Sequence, residues 1–214
     1  LQRDYNLNIS ESTVGRILSS LFKTNLIAKS SYVTRKKRKR VFKGHAKAWS
    51  FKKYEDMQLG ERVQIDHMSV STNSISCKHF QAWDRNSKFV DANVYSNANS
   101  KSAKRFLLDF IKKSPFKISS VQVDGGSEFM DEFESACQNM NLPLIVLPPK
   151  KPKYNGGVER TNRTLRDEFY DHINADSIGE VRYKLKQALI KHNTYRPHQA
   201  LNGLTPMQYI AQCS

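Results

Sequence analysis

The sequence predicts a mixed α/β domain behind a short basic front region, and three observations carry that expectation. Short runs of β-forming residues recur between Gly60 and Leu147. Amphipathic stretches of helical period follow the third run and then alternate with the later ones. Acids stand at strand-like or helix-opening positions in three of these runs, at Asp66, Asp124 and Glu159.

The chain has 214 residues, enough for one full core and a small appendage, and its 38% apolar and 10% aromatic content places it among folded proteins. The net charge of +15, from 35 basic and 20 acidic residues, points to a polyanionic partner such as nucleic acid, because basic groups that neutralise phosphates release counterions. A merely soluble basic protein is the bland alternative. Cys77, Cys137 and Cys213 are far apart, and no CxxC pair occurs. A zinc knuckle or disulfide framework is therefore unsupported, and the three read as reduced thiols of a cytosolic protein, with Cys77 and Cys137 expected to be buried. No run is long and apolar enough to suggest a membrane span. The chain starts at Leu1, so a fragment of a longer protein is one reading.

From Ile9 to Leu26, Val14, Ile17, Leu18 and Leu21 follow helical spacing, with Ser10 or Ser12 as cap and a short strand expected from Leu26-Ile27. Arg16 and Lys23 lie on the polar side, where they would suit the recognition helix of a helix-turn-helix unit, residues 1–8 supplying the tail of the helix before it. A plain packing helix shows the same period. Residues 1–33 are thus expected to be a partial DNA-binding module. Arg35, Lys36, Lys37, Arg38, Lys39 and Arg40, extended by Lys43, Lys47, Lys52 and Lys53, make 34–58 a basic linker suited to a DNA backbone. Its bland readings are a solvated arm or a localisation signal.

Residues 59–214 carry the main domain. Runs around Asp66, at Cys77–Trp83 and at Lys88–Tyr95 suit an antiparallel meander; Ser100–Ser114 reads as a helix stopped by Pro115; Ile118–Val123 as a fourth strand; Ser127–Met140 as a helix; Leu142–Leu147 as a fifth strand. This order is that of a ribonuclease H-like α/β core, a mixed five-stranded sheet flanked by helices. Pairing the first and fourth strands would join Asp66 to Asp124. Glu159 opens a helix expected over 156–172, with Val158, Asn162 or Thr161, Leu165 and Phe169 inward, and with Glu159, Arg163, Arg166 and Tyr170 sharing another face.

Each acid alone has a structural reading: a turn residue at Asp124, a dipole partner at Glu159, a hydrogen-bonded strand residue at Asp66. Together they read as one site for divalent cations, since phosphodiester chemistry needs an activated oxygen nucleophile and a stabilised leaving oxygen, and paired cations held by acids provide both. Asp84, Asp91 and Glu128 fit this pattern less well, and His67 reads as a packing neighbour.

The stretches Gln64-Ile-Asp66-His67, Val123-Asp-Gly-Gly-Ser-Glu-Phe129, Pro152-Lys-Tyr-Asn-Gly-Gly-Val-Glu-Arg-Thr-Asn-Arg163 and Tyr195-Arg-Pro-His-Gln-Ala-Leu-Asn-Gly-Leu-Thr-Pro206 resemble the DDE-type integrase catalytic core, and the last is similar to the bacterial insertion-sequence transposases in particular. The resemblance covers about residues 59 to 210. Between Asp124 and Glu159 stand 34 residues, one fewer than the family's commonest 35, and Gly125 replaces a frequent Asn. The resemblance implies a transposase that cuts element ends and joins them to target DNA by transesterification. It implies Asp66 and Asp124 as holders of one Mg²⁺ or Mn²⁺ ion and Asp66 with Glu159 as holders of a second. Lys150, Lys151 and Lys153 would position the DNA end, and Arg160 and Arg163 would meet its phosphates. It further implies double-stranded DNA as partner, a homo-oligomer on that DNA, and work at the bacterial nucleoid. A transposase-derived repressor or architectural protein, and a hydrolytic nuclease, are the other readings.

Overall fold

A computed structural model of the chain describes residues 9–27, 41–42, 47–48, 57–72, 75–148 and 156–213. Two compact units are distinguished, Leu1–Lys39 and Arg40–Ser214, each considered by itself.

In the first unit, helix α1 spans Glu11–Lys23. Ser10 caps it, its hydroxyl oxygen accepting from the Thr13 amide at 3.3 Å, and Glu11 and Lys23 complement the helix dipole at its two ends. Asn25 then adopts a left-handed φ of 55°, which returns the amides of Leu26 and Ile27 to the Leu21 carbonyl. Those amides complete the helix end, so Leu26 and Ile27 lie in a bend where a strand was expected. No residue of α1 is buried, and Ile17 and Leu18 are 48% and 42% exposed. The remainder of the expected helix-turn-helix, residues 1–8, and the basic run Arg35–Arg40 fall outside the described residues.

The second unit is built on a sheet of order β1-β6-β5-β2-β3-β4. Its strands are β1 (Lys47–Ala48), β2 (Val63–Ser71), β3 (Ser76–Asp84), β4 (Val90–Tyr95), β5 (Val121–Val123) and β6 (Leu144–Val146). The expected meander is present, with β2, β3 and β4 antiparallel, while β5 and β6 join in parallel. The five expected strands are extended by β1, a two-residue edge strand parallel to β6 that the basic composition around Lys47 did not suggest. The helices of this unit are α2 (Ser100–Lys113), α3 (Glu132–Asn139), α4 (Gly156–Glu168), α5 (Ile178–Thr194) and α6 (Pro206–Cys213).

Alternation along the strands builds two cores. Val63 and Ile65 of β2 and Phe80 and Ala82 of β3 point to one face, where Phe106, Leu107 and Phe110 of α2 and Phe133 and Cys137 of α3 cover them. Met68 and Val70 of β2, Trp83 of β3 and Val90, Ala92 and Val94 of β4 point to the other, under Val158 and Leu165 of α4 and Val181, Leu185 and Leu189 of α5. Asn193 fastens α5 to β4, accepting from the Val90 amide at 3.0 Å and donating to the Val90 carbonyl at 2.7 Å. Cys77 and Cys137 are buried free thiols, as expected, and Cys213 is exposed. Among the described residues no helix is long and apolar enough to cross a membrane.

Two expectations are revised. The helix expected over Ser127–Met140 is divided into a 3₁₀ turn, Ser127–Phe129, and α3, because Asp131 takes a left-handed φ of 52° between them. Tyr170 does not share a face with Glu159: α4 gives way to a 3₁₀ turn at Tyr170–His172, and Tyr170 is buried with its hydroxyl 2.8 Å from Nδ1 of His79. Burial drives His79 down to about 4, against a smaller opposing effect of Gln81. A buried neutral histidine contributes stability that is complete above its unfolded value near 6.5 and lost as pH falls toward 4. At pH 5 the loss is about 2 kcal/mol. Asp66 titrates in the opposite sense, so urea unfolding of the chain is compared with His79→Gln at pH 7.5 and 5. The native chain should lose more stability than the variant over this interval; equal losses would refute the assignment.

Candidate active site

The parallel register of β2 and β5 pairs Val63 with Val121 and Gln64 with Gln122. Carried forward by two residues, it sets Asp66 level with Asp124, just past the end of β5, and on the same face because the two positions share strand parity. The carboxylates interact accordingly. Asp66 is raised to about 6, first by burial and next by repulsion from Asp124, with a smaller repulsion from Glu159. Burial also raises Asp124, and the Gly126 amide, donating to its Oδ1 at 3.0 Å, offsets part of this.

Asp66 is held at both oxygens. Its Oδ1 accepts from the His67 amide at 2.8 Å, and its Oδ2 accepts from Nδ2 of Asn162 in α4 at 2.9 Å. The start of α4 is fixed to the sheet by two buried amides: Gln64 accepts from the Val158 amide at 3.3 Å, and Gln81 donates to the Val158 carbonyl at 3.4 Å. These contacts place Glu159, one residue on, at the first turn of α4, where it is exposed and within electrostatic reach of Asp66. Among the described residues no three His, Cys, Asp or Glu side chains are gathered closely enough to hold a metal by themselves. The donor chemistry nevertheless fits a hard divalent cation, since two oxygen donors face each other at a cost that a cation would relieve.

Beneath the pair, Nδ1 of His67 lies 2.7 Å from Oε1 of Glu128, and its ring packs 5.6 Å from Phe80. The Glu128 contact raises His67 against the opposing effect of burial; burial works to raise Glu128, but His67 prevails and lowers it. A Cβ at Gly126 would lie 2.3 Å from Oε1 of Glu128, so a larger residue there would displace the Glu128 carboxylate from His67. Asp84 is structural, accepting from the amides of Gly60 and Ser87 and from the Ser87 hydroxyl.

Of the basic residues expected at DNA, Arg160 and Arg163 stand exposed on α4, and Arg16 stands exposed on α1 in the other unit. Lys150, Lys151 and Lys153 lie outside the described residues, as do Arg35, Lys36, Lys37, Arg38, Lys39 and Arg40. From the sequence, Gln64 and Gln81 had no role in the site, and Asn162 was placed only as an alternative to Thr161 on the inward stripe of its helix. Their signal was available: an amide at a strand position whose alternation demands an apolar residue, and an amide on the inward stripe of a helix.

The sheet order and its flanking helices give a ribonuclease H-like fold, as found in integrase catalytic cores. Residues 142–206 match the family model described as the integrase core domain. The fold is shared with a chain of the simian T-cell lymphotropic virus intasome in complex with PP2A regulatory subunit B56 gamma, at 24% identity and TM-score 0.61, over 71% of this chain and 54% of that one. The protein thus spans about half the length of that viral chain. It is shared likewise with the catalytic core domain of BIV integrase, at 22% identity and TM-score 0.57, over 72% of this chain and 95% of that one. The HTLV-2 integrase catalytic core domain in complex with magnesium gives 18% identity and TM-score 0.57, over 70% and 95%. No curated protein sequence matches significantly.

Proposed function

We propose that the protein is a DNA transposase of the integrase type, which cleaves element ends and transfers the freed 3′-hydroxyl to target DNA. The observation that carries this reading is the pairing of Asp66 with Asp124 on one face of the sheet, each raised by burial and Asp66 further by its neighbour, with Glu159 brought near by α4. Asp66, Asp124 and Glu159 would hold two Mg²⁺ or Mn²⁺ ions, which supply an activated oxygen nucleophile and charge stabilisation at the leaving oxygen. The chain's own part is placement. The His67 amide and Asn162 orient Asp66, Gln64 and Gln81 fix the α4 start that bears Glu159, and Arg163, one turn on from Glu159, offers charge to phosphates. Work on two DNA ends suggests a homo-oligomer assembled on double-stranded DNA, with the basic segments giving salt-dependent affinity.

The test incubates the protein with labelled duplexes copied from the DNA flanking its gene, with Mg²⁺ or Mn²⁺, beside a Glu159→Gln control. Cut and joined products from the native chain alone are expected. Nicks without joining would favour a hydrolytic nuclease, and tight binding without cutting in either protein would favour a DNA-binding repressor or architectural protein.

A further inference from the structure

On the side of α4 turned away from Glu159 lies a second basic site. Gly157, Arg160, Thr161 and Thr164 recur at i, i+3, i+4 and i+7 and form one wall of a cavity of about 530 Å³, while Glu159 lies roughly opposite on the helix. Three other segments complete it: the β3–β4 turn with Arg85 and Lys88, the end of α5 with His192, and the following loop with Arg196 and His198. Among the described residues, no acidic side chain lines it. Glu168 holds Arg196 from outside, accepting two hydrogen bonds from its guanidinium.

The cavity is built with some precision. Gly157 lets α4 approach Trp83 so closely that a Cβ there would fall 2.1 Å from the indole ring, and the Lys88 ammonium sits 5.5 Å over that ring. His192 and His198 meet edge to face with centroids 4.9 Å apart. Nε2 of His198 is buried and has no hydrogen-bond partner among the protein's described groups. The electrostatics agree: burial lowers Lys88, and Arg85 and Arg160 lower it further, while Asp84 opposes them. Burial, then Arg196 and Lys88, lower His198. Arg85, Lys88, Arg160 and Arg196 thus bring positive charge from separate segments to one cavity.

We infer that this cavity binds a phosphodiester of the DNA backbone, separately from the phosphates that meet the acid-bearing side of α4. The inference deepens the transposase reading and rests on it for the identity of the polyanion. A phosphate there would neutralise part of the positive charge that Arg85, Lys88, Arg160 and Arg196 bring to the cavity. One helix diameter, about 10–12 Å, separates the two sides of α4. The site therefore gives the protein a second hold, either on the same element end or on the target duplex.

The test measures DNA affinity in EDTA by fluorescence anisotropy, so that no cleavage is required. Arg85→Gln with Lys88→Gln should weaken binding about tenfold or more and make the salt dependence shallower by roughly one to two contacts. Arg85→Lys with Lys88→Arg should retain most of the affinity, which separates charge from folding. Lys101→Gln with Lys104→Gln removes the same charge from α2, where both lysines lie 3.9 Å from Glu132, and should change affinity less than threefold. Equal weakening by the two Gln pairs, or none by the first, would overturn the inference. Weaker binding to element-end duplexes assigns the cavity to the end; intact end binding with failed capture of an unrelated second duplex assigns it to the target. Pocket-dependent binding without metal-dependent cutting would leave the pocket standing and remove the transposase reading, and cutting with pocket-independent binding would do the reverse.

Discussion

Asp66→Asn should abolish strand joining while making the metal-free protein more stable at pH 7.5. At that pH the native carboxyl is ionised, although burial, Asp124 and Glu159 raise it to about 6. A rise from 3.8 to about 6 corresponds to at most about 3 kcal/mol, and solvent screening of the half-buried side chain reduces this to about 1–2 kcal/mol. An asparagine removes the buried charge and keeps the local bonds. Its Oδ1 can still accept from the His67 amide, and Asn162, whose Oδ1 is buried and unpartnered, can turn its amide to accept from the new Nδ2. For a chain of this size the gain is about 2–8 °C in melting temperature. Joining should nevertheless fall by about a thousandfold or more, because losing roughly 4 kcal/mol of charge stabilisation is enough to do so. Mg²⁺ or Mn²⁺ should raise the melting temperature of the native chain and not of the variant. Undiminished joining would remove Asp66 from the proposed chemistry, and a lowered metal-free melting temperature would refute the electrostatic account.

The second large effect is expected at Phe80→Ala. Phe80 is fully buried in β3, and its ring meets Tyr95 at 5.6 Å, Phe106 at 6.1 Å, Phe129 at 6.3 Å and His67 at 5.6 Å. Truncation leaves a cavity among these four rings and should cost about 3–5 kcal/mol, a large part of the roughly 5–15 kcal/mol that holds a domain folded. The site should loosen with it. His67 loses a neighbour on the residue beside Asp66, and Gln81, adjacent to Phe80, anchors the start of α4. The denaturant midpoint should fall with an unchanged slope, and Phe80→Leu should recover much of the loss. A change below about 1 kcal/mol would show that the core repacks around the gap.

The strands and most helices were legible because their signals are local. Asn99 caps α2 and Ser177 caps α5 through their own side chains, and the inward stripe Val158, Thr161, Asn162, Leu165 and Phe169 follows helical period. The pairing of β2 with β5 was also anticipated, and with it the approach of Asp66 to Asp124. Less legible were features that need a partner distant in sequence. Asp131 and Asn25 take left-handed conformations that end or divide the expected elements, and β1 exists only where β6 offers it an edge. Tyr170 leaves the helical face because the buried His79 provides a hydrogen-bond partner.

The sequence by itself determined the alternation that gives the sheet two apolar faces, the helix boundaries set by local caps, and the presence of three acids, one within a strand, one just past a strand end and one at a helix start. Tertiary structure decided what surrounds them: Gln64, Gln81 and Asn162 fixing α4 against the sheet, Glu128 beneath His67, and Arg85, Lys88, Arg160 and His198 drawn around one cavity from separate segments. The physical reason is range. Periodicity and capping act within a few residues, whereas a buried amide or a crowded cation acquires its meaning from atoms that only the folded chain brings near.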